Sequence, residues 1–314
     1  DRKNVLVGNP ASNADLLFTV DIEADIDETG TVGDLTIKGD VSTVNNLPPS
    51  VEFMERFEPQ RKAVENFVGR NIGKLTAPMS TRDAYFGASA FVDFIHTLQL
   101  SISGAQISMA APLTFDATIP EGDISVSDMF NLYKYENMLY TMCLTGTEIK
   151  NYLEMSYDLW TQQMTSADDH LLNLRDTGTT DMSHTGFRHP SYNFDSAAGI
   201  IYTVDVTKPR GEKISIVSMA DGTPFVADNE YTVAINSYRG NGGGNLLTEG
   251  AGIAKKDLKE RIVKSTDKDL RYYMMKYIEE KRTLAPEALN QWKFIPEDIV
   301  SPAVERDRRL LFNE

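Results

Sequence analysis

The chain has 314 residues, 41% of them apolar, enough for one large or two ordinary domains with a normal core. Its net charge of −15 argues against nucleic acid as a partner, because a nucleic-acid backbone needs basic surface. Small phosphorylated ligands stay open, since a pocket needs only local positive charge. The single cysteine, Cys143, excludes an internal disulfide framework, and no apolar run is long enough to form a transmembrane segment.

Residues 1–48 read as β structure. In "LLFTVDIEADID", Phe18, Val20, Ile22 and Ala24 alternate with polar residues, and "ETGTVGDLTIKGDV" turns and returns. A single hairpin is barely stable in water, so this one is expected to complete a sheet that belongs elsewhere. "DIDETG" mimics the start of a calcium loop, but its twelfth position falls on Thr36 where a glutamate is required, and a solvated strand face is the expectation. The opening "DRKNVLVGNP" has no signal-peptide character, and a start on charged residues is expected of a piece of a longer protein.

After the linker "NNLPPS", a helix is predicted from Ser50 through Val68, bent at Pro59. A second helix is predicted over "SAFVDFIHTLQL", where Phe91, Phe94, Ile95 and Leu98 share one face and His96 has a structural place. "GAQISMAAP" and "LYTMCLTG" read as buried strands. The second runs into Thr145-x-x-Glu148, a capping box, and a helix with Ile149, Tyr152, Leu153 and Trp160 on one face. Residues 161–195 are polar with little period and read as a long loop or insertion. "GIIYTVDVTK", "KISIVSM" and "YTVAINS" are three strands, with Asp221-Gly222 a hairpin turn. The final helix is expected at Leu270–Ile278, and the tail "NQWKFIP" is expected to dock because Trp292 and Phe294 need cover.

Catalytic signatures are mostly missing. There is no Gly-x-Ser-x-Gly elbow, phosphate-loop lysine or HExxH, and Cys143 lies in an apolar strand, a poor place for a thiolate. His184 and His189, with Asp181, invite a metal reading, but they lie in a loop without the spacing of a helical ligand pair. Two aromatic–polar clusters stand out, "LYKYENML" at 132–139 and "NSYRGNGGGN" at 236–245. Each places a tyrosine beside an asparagine at a strand or loop edge. Two such rings across a cleft sandwich a flat base, and an asparagine donates to and accepts from its edge. Arg239 then meets an anion, and Gly242 and Gly243 bring backbone N–H groups close to the ligand. The alternative is two core tyrosines, a solvated arginine and a long hairpin turn.

"AAPLTFDATIPEGDISVSDMFNLYKYENMLYTMCLTGTEIKNYLE", "YNFDSAAGIIYTVDVTKPRGEKI" and "VAINSYRGNGGG", in that order, resemble the C-terminal domain of the 5′-nucleotidase family. The branch of 2′,3′-cyclic-nucleotide 2′-phosphodiesterase/3′-nucleotidases shares the "AAP", "YxYxN", "YNxD" and "NxYR" elements. The resemblance implies an α+β fold of mixed β-sheets layered with helices. It places a C-terminal nucleotide-binding domain at 49–314, preceded at 1–48 by the last β segment of an N-terminal metallophosphatase domain. Tyr135 and Tyr238 take the positions of the stacking aromatics, Asn137 that of the base-edge asparagine, with Asn236, Gly242 and Gly243 beside them and Arg239 facing ribose or phosphate. The substrate is a nucleotide or nucleoside, the partner is the chain's own metallophosphatase domain with its divalent metal ions, and the location is periplasmic or exported. No cofactor and no catalytic residue is expected in this chain, which alone is expected not to hydrolyse phosphoesters. The matching stretch "AAPLTFDATI" lacks the arginine of the family's "NGGxIR", and Gly244 stands where a ribose-binding aspartate is found. A nucleoside-binding module without a catalytic partner is the alternative function.

Overall fold

The computed structural model describes residues 5–11, 14–175 and 186–314. The chain divides into two units, residues 1–65 and 66–314.

In the first unit, strands Leu16–Ile26 and Val32–Thr43 form an antiparallel ribbon with Val20 opposite Gly39 and Ile22 opposite Ile37. Both faces of the ribbon are largely exposed, the apolar one included. The Asp27 carboxylate accepts the backbone N–H groups of Thr29 at 2.8 Å and Thr31 at 2.9 Å. That turn chemistry, led by the Thr29 hydroxyl, holds Asp27 below the usual carboxylate range. Helix Val51–Val68 follows, with Pro59 inside it as the sequence predicts.

The second unit is built on a five-stranded mixed sheet. Its strands, in spatial order, are Ile262–Asp269, Met138–Thr145, Glu230–Asn236, Ile107–Ala110 and Ser196–Ala198. Only the pair Glu230–Asn236 and Ile107–Ala110 is parallel. Strand periodicity divides the core in two. Tyr231, Val233, Ile235, Ile107, Met109, Met142 and Leu144 enter a core that includes helix Gly146–Trp160. Ala234, Ala110 and Leu139 enter another that includes helices Ala90–Ser103 and Leu270–Lys281. The small residues of the central strand therefore face one helix layer and the bulky ones the other. Thr145 and Glu148 close the capping box, with Glu148 Oε2 accepting the Thr145 N–H at 2.8 Å and Thr145 Oγ1 accepting the Glu148 N–H at 3.2 Å.

Three expectations change. The stretch read as a polar loop sends Met164, Leu171, Leu172, Leu174, Phe187 and Phe194 into the larger core, spaced too irregularly to show a period. Asp221-Gly222 makes a turn, with the Gly222 N–H donating to Met219 O at 3.1 Å, but the strands around it belong to different sheets. Ile214–Met219 pairs instead with Ile200–Asp205, whose other neighbour is Trp292–Ile295, so the tail does dock. Beyond it lies the unforeseen helix Glu297–Phe312; its Val300, Ala303 and Leu311 are buried, and its internal Pro302 reads in sequence as a break.

His96 is buried, with its ring nitrogens 2.9 Å from Ser108 Oγ and 3.1 Å from Ser196 Oγ. Burial lowers its pKa from 6.5 to about 3. Between those values the unfolded state binds the extra proton, so this group removes stability as pH falls through that window. Asp93, buried on the same helix, works in the opposite sense. Burial raises its pKa from 3.8 to about 6, against the Leu289 N–H that favours the carboxylate, so its contribution is lost as pH rises through that range. In urea unfolding, the stability difference between wild type and His96→Gln is expected to shrink from pH 7 toward pH 4. A difference that does not change with pH would contradict a neutral buried imidazole.

Candidate functional site

Neighbouring strands of the central sheet deliver side chains to one edge. The parallel strands Ile107–Ala110 and Glu230–Asn236 end there, leading into Leu113 and into Asn236 and Tyr238. Their antiparallel neighbours begin there. Tyr135 and Asn137 precede Met138–Thr145, and Tyr192 precedes Ser196–Ala198. These six residues line a cavity of about 270 Å³. An apolar, aromatic concavity at the C-terminal ends of parallel strands is a favoured position for a ligand.

Both sequence-selected tyrosines are half exposed at this cavity, Tyr135 at 41% and Tyr238 at 46%. The edge of the Tyr192 ring meets the Tyr238 ring at 87°, with centroids 6.3 Å apart. The two asparagines are tied to the buried Tyr133 hydroxyl, to which Asn137 Nδ2 donates at 3.4 Å. Burial raises the Tyr133 pKa, so that hydroxyl stays protonated. Asn236 Oδ1 also accepts the Arg239 N–H at 2.9 Å, capping the short turn Ser237–Gly240 that carries Tyr238.

Arg239 does not face the cavity. It is 1% exposed, and its five guanidinium N–H groups are matched by five acceptors. Nε donates to Asp195 Oδ2 at 3.2 Å and Nη2 to Asp195 Oδ1 at 2.9 Å. Nη1 donates to Asn193 Oδ1 at 2.9 Å and to Gly243 O at 2.8 Å, and Nη2 also donates to Tyr192 O. Asp195 accepts the Tyr152 hydroxyl as well. Burial works most strongly against the charge of Arg239, but the attraction of Asp195 and Tyr152 and the hydrogen bonds to Asp195 together outweigh it and hold the pKa above the ordinary arginine value. The expectation that Arg239 meets ribose or phosphate is corrected, because a guanidinium with every donor engaged inside the protein has none for a ligand.

Gly242 and Gly243 are not among the residues lining the cavity. A Cβ on Gly243 would stand 2.5 Å from the Tyr238 ring, so that ring packs directly on the glycine. Gly244, at φ +70°, passes so close that a Cβ would overlap Arg239 Nη1 and Asn193 Oδ1. The loop is glycine-rich because the protein packs its own side chains against it.

Leu113, Tyr133 and Tyr192 are additions to the sequence reading. Tyr192 belongs to "YNFD", the stretch that also supplies Asn193 and Asp195, and that motif is the signal that could have found it. Of the metal reading, Asp181 and His184 lie outside the described residues. Among the described residues no group of three His, Cys, Asp or Glu is placed to hold a metal ion.

Residues 71–249 match the family model of the 5′-nucleotidase C-terminal domain. The chain is 34% identical over 193 residues to the trifunctional nucleotide phosphoesterase protein YfkN of Bacillus subtilis, covering 57% of this chain and 12% of that protein. It is 25% identical over 281 residues to the 2′,3′-cyclic-nucleotide 2′-phosphodiesterase/3′-nucleotidase of Haemophilus influenzae, covering 78% of this chain and 40% of that protein. The chain thus spans well under half the length of these curated relatives. Its fold is similar to that of the 5′-nucleotidase precursor from Thermus thermophilus, with a TM-score of 0.58 at 17% identity over 90% of this chain and 50% of that one.

Arg239→Met leaves Asp195 charged, buried and without its main partner, which is expected to cost about 3–5 kcal/mol in denaturant unfolding. Gly244→Ala is expected to cost a comparable amount through overlap and a left-handed φ. Losses below about 1 kcal/mol would show that the network is not the frame of the site.

Proposed function

The chain belongs to the 5′-nucleotidase family through its C-terminal domain, and from that membership we propose that it binds the substrate of a metal-dependent nucleotide phosphohydrolase. In this reading the flat base lies against Tyr135 and Tyr238, and Asn137 pairs with its edge. One observation carries the reading: Tyr135, Asn137, Asn236 and Tyr238, chosen from separate motifs, line one cavity. A carboxamide offers two donors and an acceptor, enough to read a base edge, and the buried Tyr133 hydroxyl orients Asn137.

Chemistry at phosphorus belongs, on this proposal, to divalent metal ions in a preceding metallophosphatase domain, and residues 1–48 are the last β segment of that domain. The ribbon's exposed Val20, Ile22, Ile37 and Val41 support this assignment, since such a face calls for a covering layer. This chain's share is to bind and orient the nucleotide. Export to the periplasm or beyond is part of the same proposal, and the relative from Thermus thermophilus is described as a precursor.

Calorimetry with adenosine tests the base site. Tyr135→Ala and Tyr238→Ala are each expected to weaken binding by about 1–3 kcal/mol, the usual worth of a base–aromatic stack, with unchanged unfolding temperature. Wild-type affinity in both variants would rule out the stack. The purified chain is expected to release no phosphate from nucleotides in the presence of divalent metals, and robust turnover would contradict the division of labour.

A further inference from the structure

A second cavity, of about 380 Å³, lies at the other end of the central sheet. Gln106 and Asn229 line it and immediately precede the parallel strands Ile107–Ala110 and Glu230–Asn236, whose C-terminal ends lead into the aromatic cavity. At about 3.3 Å per residue, the chain from Asn229 to Asn236 spans about 20 Å, so no single small ligand reaches both sites. Gly199 brings two glutamines to one wall. Its N–H donates to Gln291 Oε1 at 2.8 Å, and at φ +93° it passes so close to the chain that a Cβ would stand 2.1 Å from Gln106 O. Gln106 Oε1 accepts the Thr232 N–H at 3.1 Å. A backbone N–H only donates, so in each glutamine the atom it meets is the carboxamide oxygen, and Nε2 is the group left over. Among the described residues neither Nε2 has a hydrogen-bond partner. Asp221 is the charged residue of this lining. Its Oδ1 accepts the Thr223 N–H at 2.9 Å and the Thr223 hydroxyl at 2.6 Å, which leaves Oδ2 as an acceptor.

We propose that this cavity is a second binding site, one that takes an uncharged carbohydrate. The described lining contains no lysine, arginine or histidine, so an anion finds no cation there. Asp221 and the chain's net charge of −15 repel one. What the lining offers is two amide donors, a carboxylate acceptor and apolar surface from Leu100, Met219 and Pro224. A sugar matches all three. Each of its hydroxyls both donates and accepts, so neighbouring hydroxyls accept from Gln106 and Gln291 and donate to Asp221, while a C–H face of the ring packs on the apolar wall. The volume lies within the range of about 300–1,000 Å³ usual for small-molecule sites. The two cavities share no lining residue, and this assignment does not rest on the base-site reading.

The probes are D-glucose, D-ribose and N-acetyl-D-glucosamine, titrated into the purified chain while NMR follows the side-chain amide signals of Gln106 and Gln291. At least one sugar is expected to shift both signals, which are identified by their absence in Gln106→Glu and Gln291→Glu. Each substitution keeps the oxygen that accepts the backbone N–H and puts a second oxygen where the donor was. Sugar affinity is therefore expected to fall about tenfold in each, with the unfolding temperature unchanged. Glucose 6-phosphate is expected to bind less tightly than glucose. No shift with any of the three sugars would overturn the proposal, as would full sugar affinity in both variants or tighter binding of the phosphate ester.

Discussion

The buried pair of Arg239 and Asp195 is the constraint on which the candidate site depends. Taking two charges out of water costs several kcal/mol for each ion, and attraction recovers this only when every remaining donor is satisfied. Here all are satisfied, and the satisfaction is what shapes the site. One guanidinium joins the segment Tyr192–Asp195 to the turn carrying Tyr238 and the loop at Gly243. Its carbon lies 5.4 Å from the centre of the Tyr238 ring, which packs on Gly243 from another side. A ring held this way loses little freedom when a ligand arrives, which lowers the entropic cost of binding.

Buried carboxylates clamp loops to helices elsewhere in the same unit. Asp93 accepts the Leu289 N–H at 2.8 Å. Glu154 accepts the N–H groups of Gly211, Lys213 and Ile214 at 2.7, 3.2 and 2.8 Å. Asp307 accepts the Leu172 N–H at 2.9 Å and pairs with His170. Each carboxylate sits on a helix and accepts backbone N–H groups from a segment distant in sequence. The acidic composition is therefore partly interior framework, and net charge alone describes the surface poorly.

Much of the fold was legible because backbone geometry imposes its period on the sequence. Tyr231, Val233 and Ile235 alternate with Thr232, Ala234 and Asn236 on the strand, and the structure sends the bulky residues into one core while Ala234 enters the other. The capping box at Thr145 and Glu148 is a local hydrogen-bond exchange, so four residues suffice to see it. The helix Glu297–Phe312 was hidden by Pro302, and the buried residues between Met164 and Phe194 by the lack of any repeating backbone conformation to space them.

The sequence by itself determined the α+β class, the order of the principal elements and the membership of Tyr135, Asn137, Asn236 and Tyr238 in candidate binding motifs. These follow from local periodicity, local capping and motif order. Only the tertiary structure decided which way Arg239 points, why the loop at 242–244 is glycine, and that Tyr192 joins the cavity. The acceptors that claim the arginine include Asn193 and Asp195, 46 and 44 positions away, and the atoms that exclude a side chain at Gly244 belong partly to Asn193. No window of sequence contains both partners of such a contact; folding the sheet brings them to one edge.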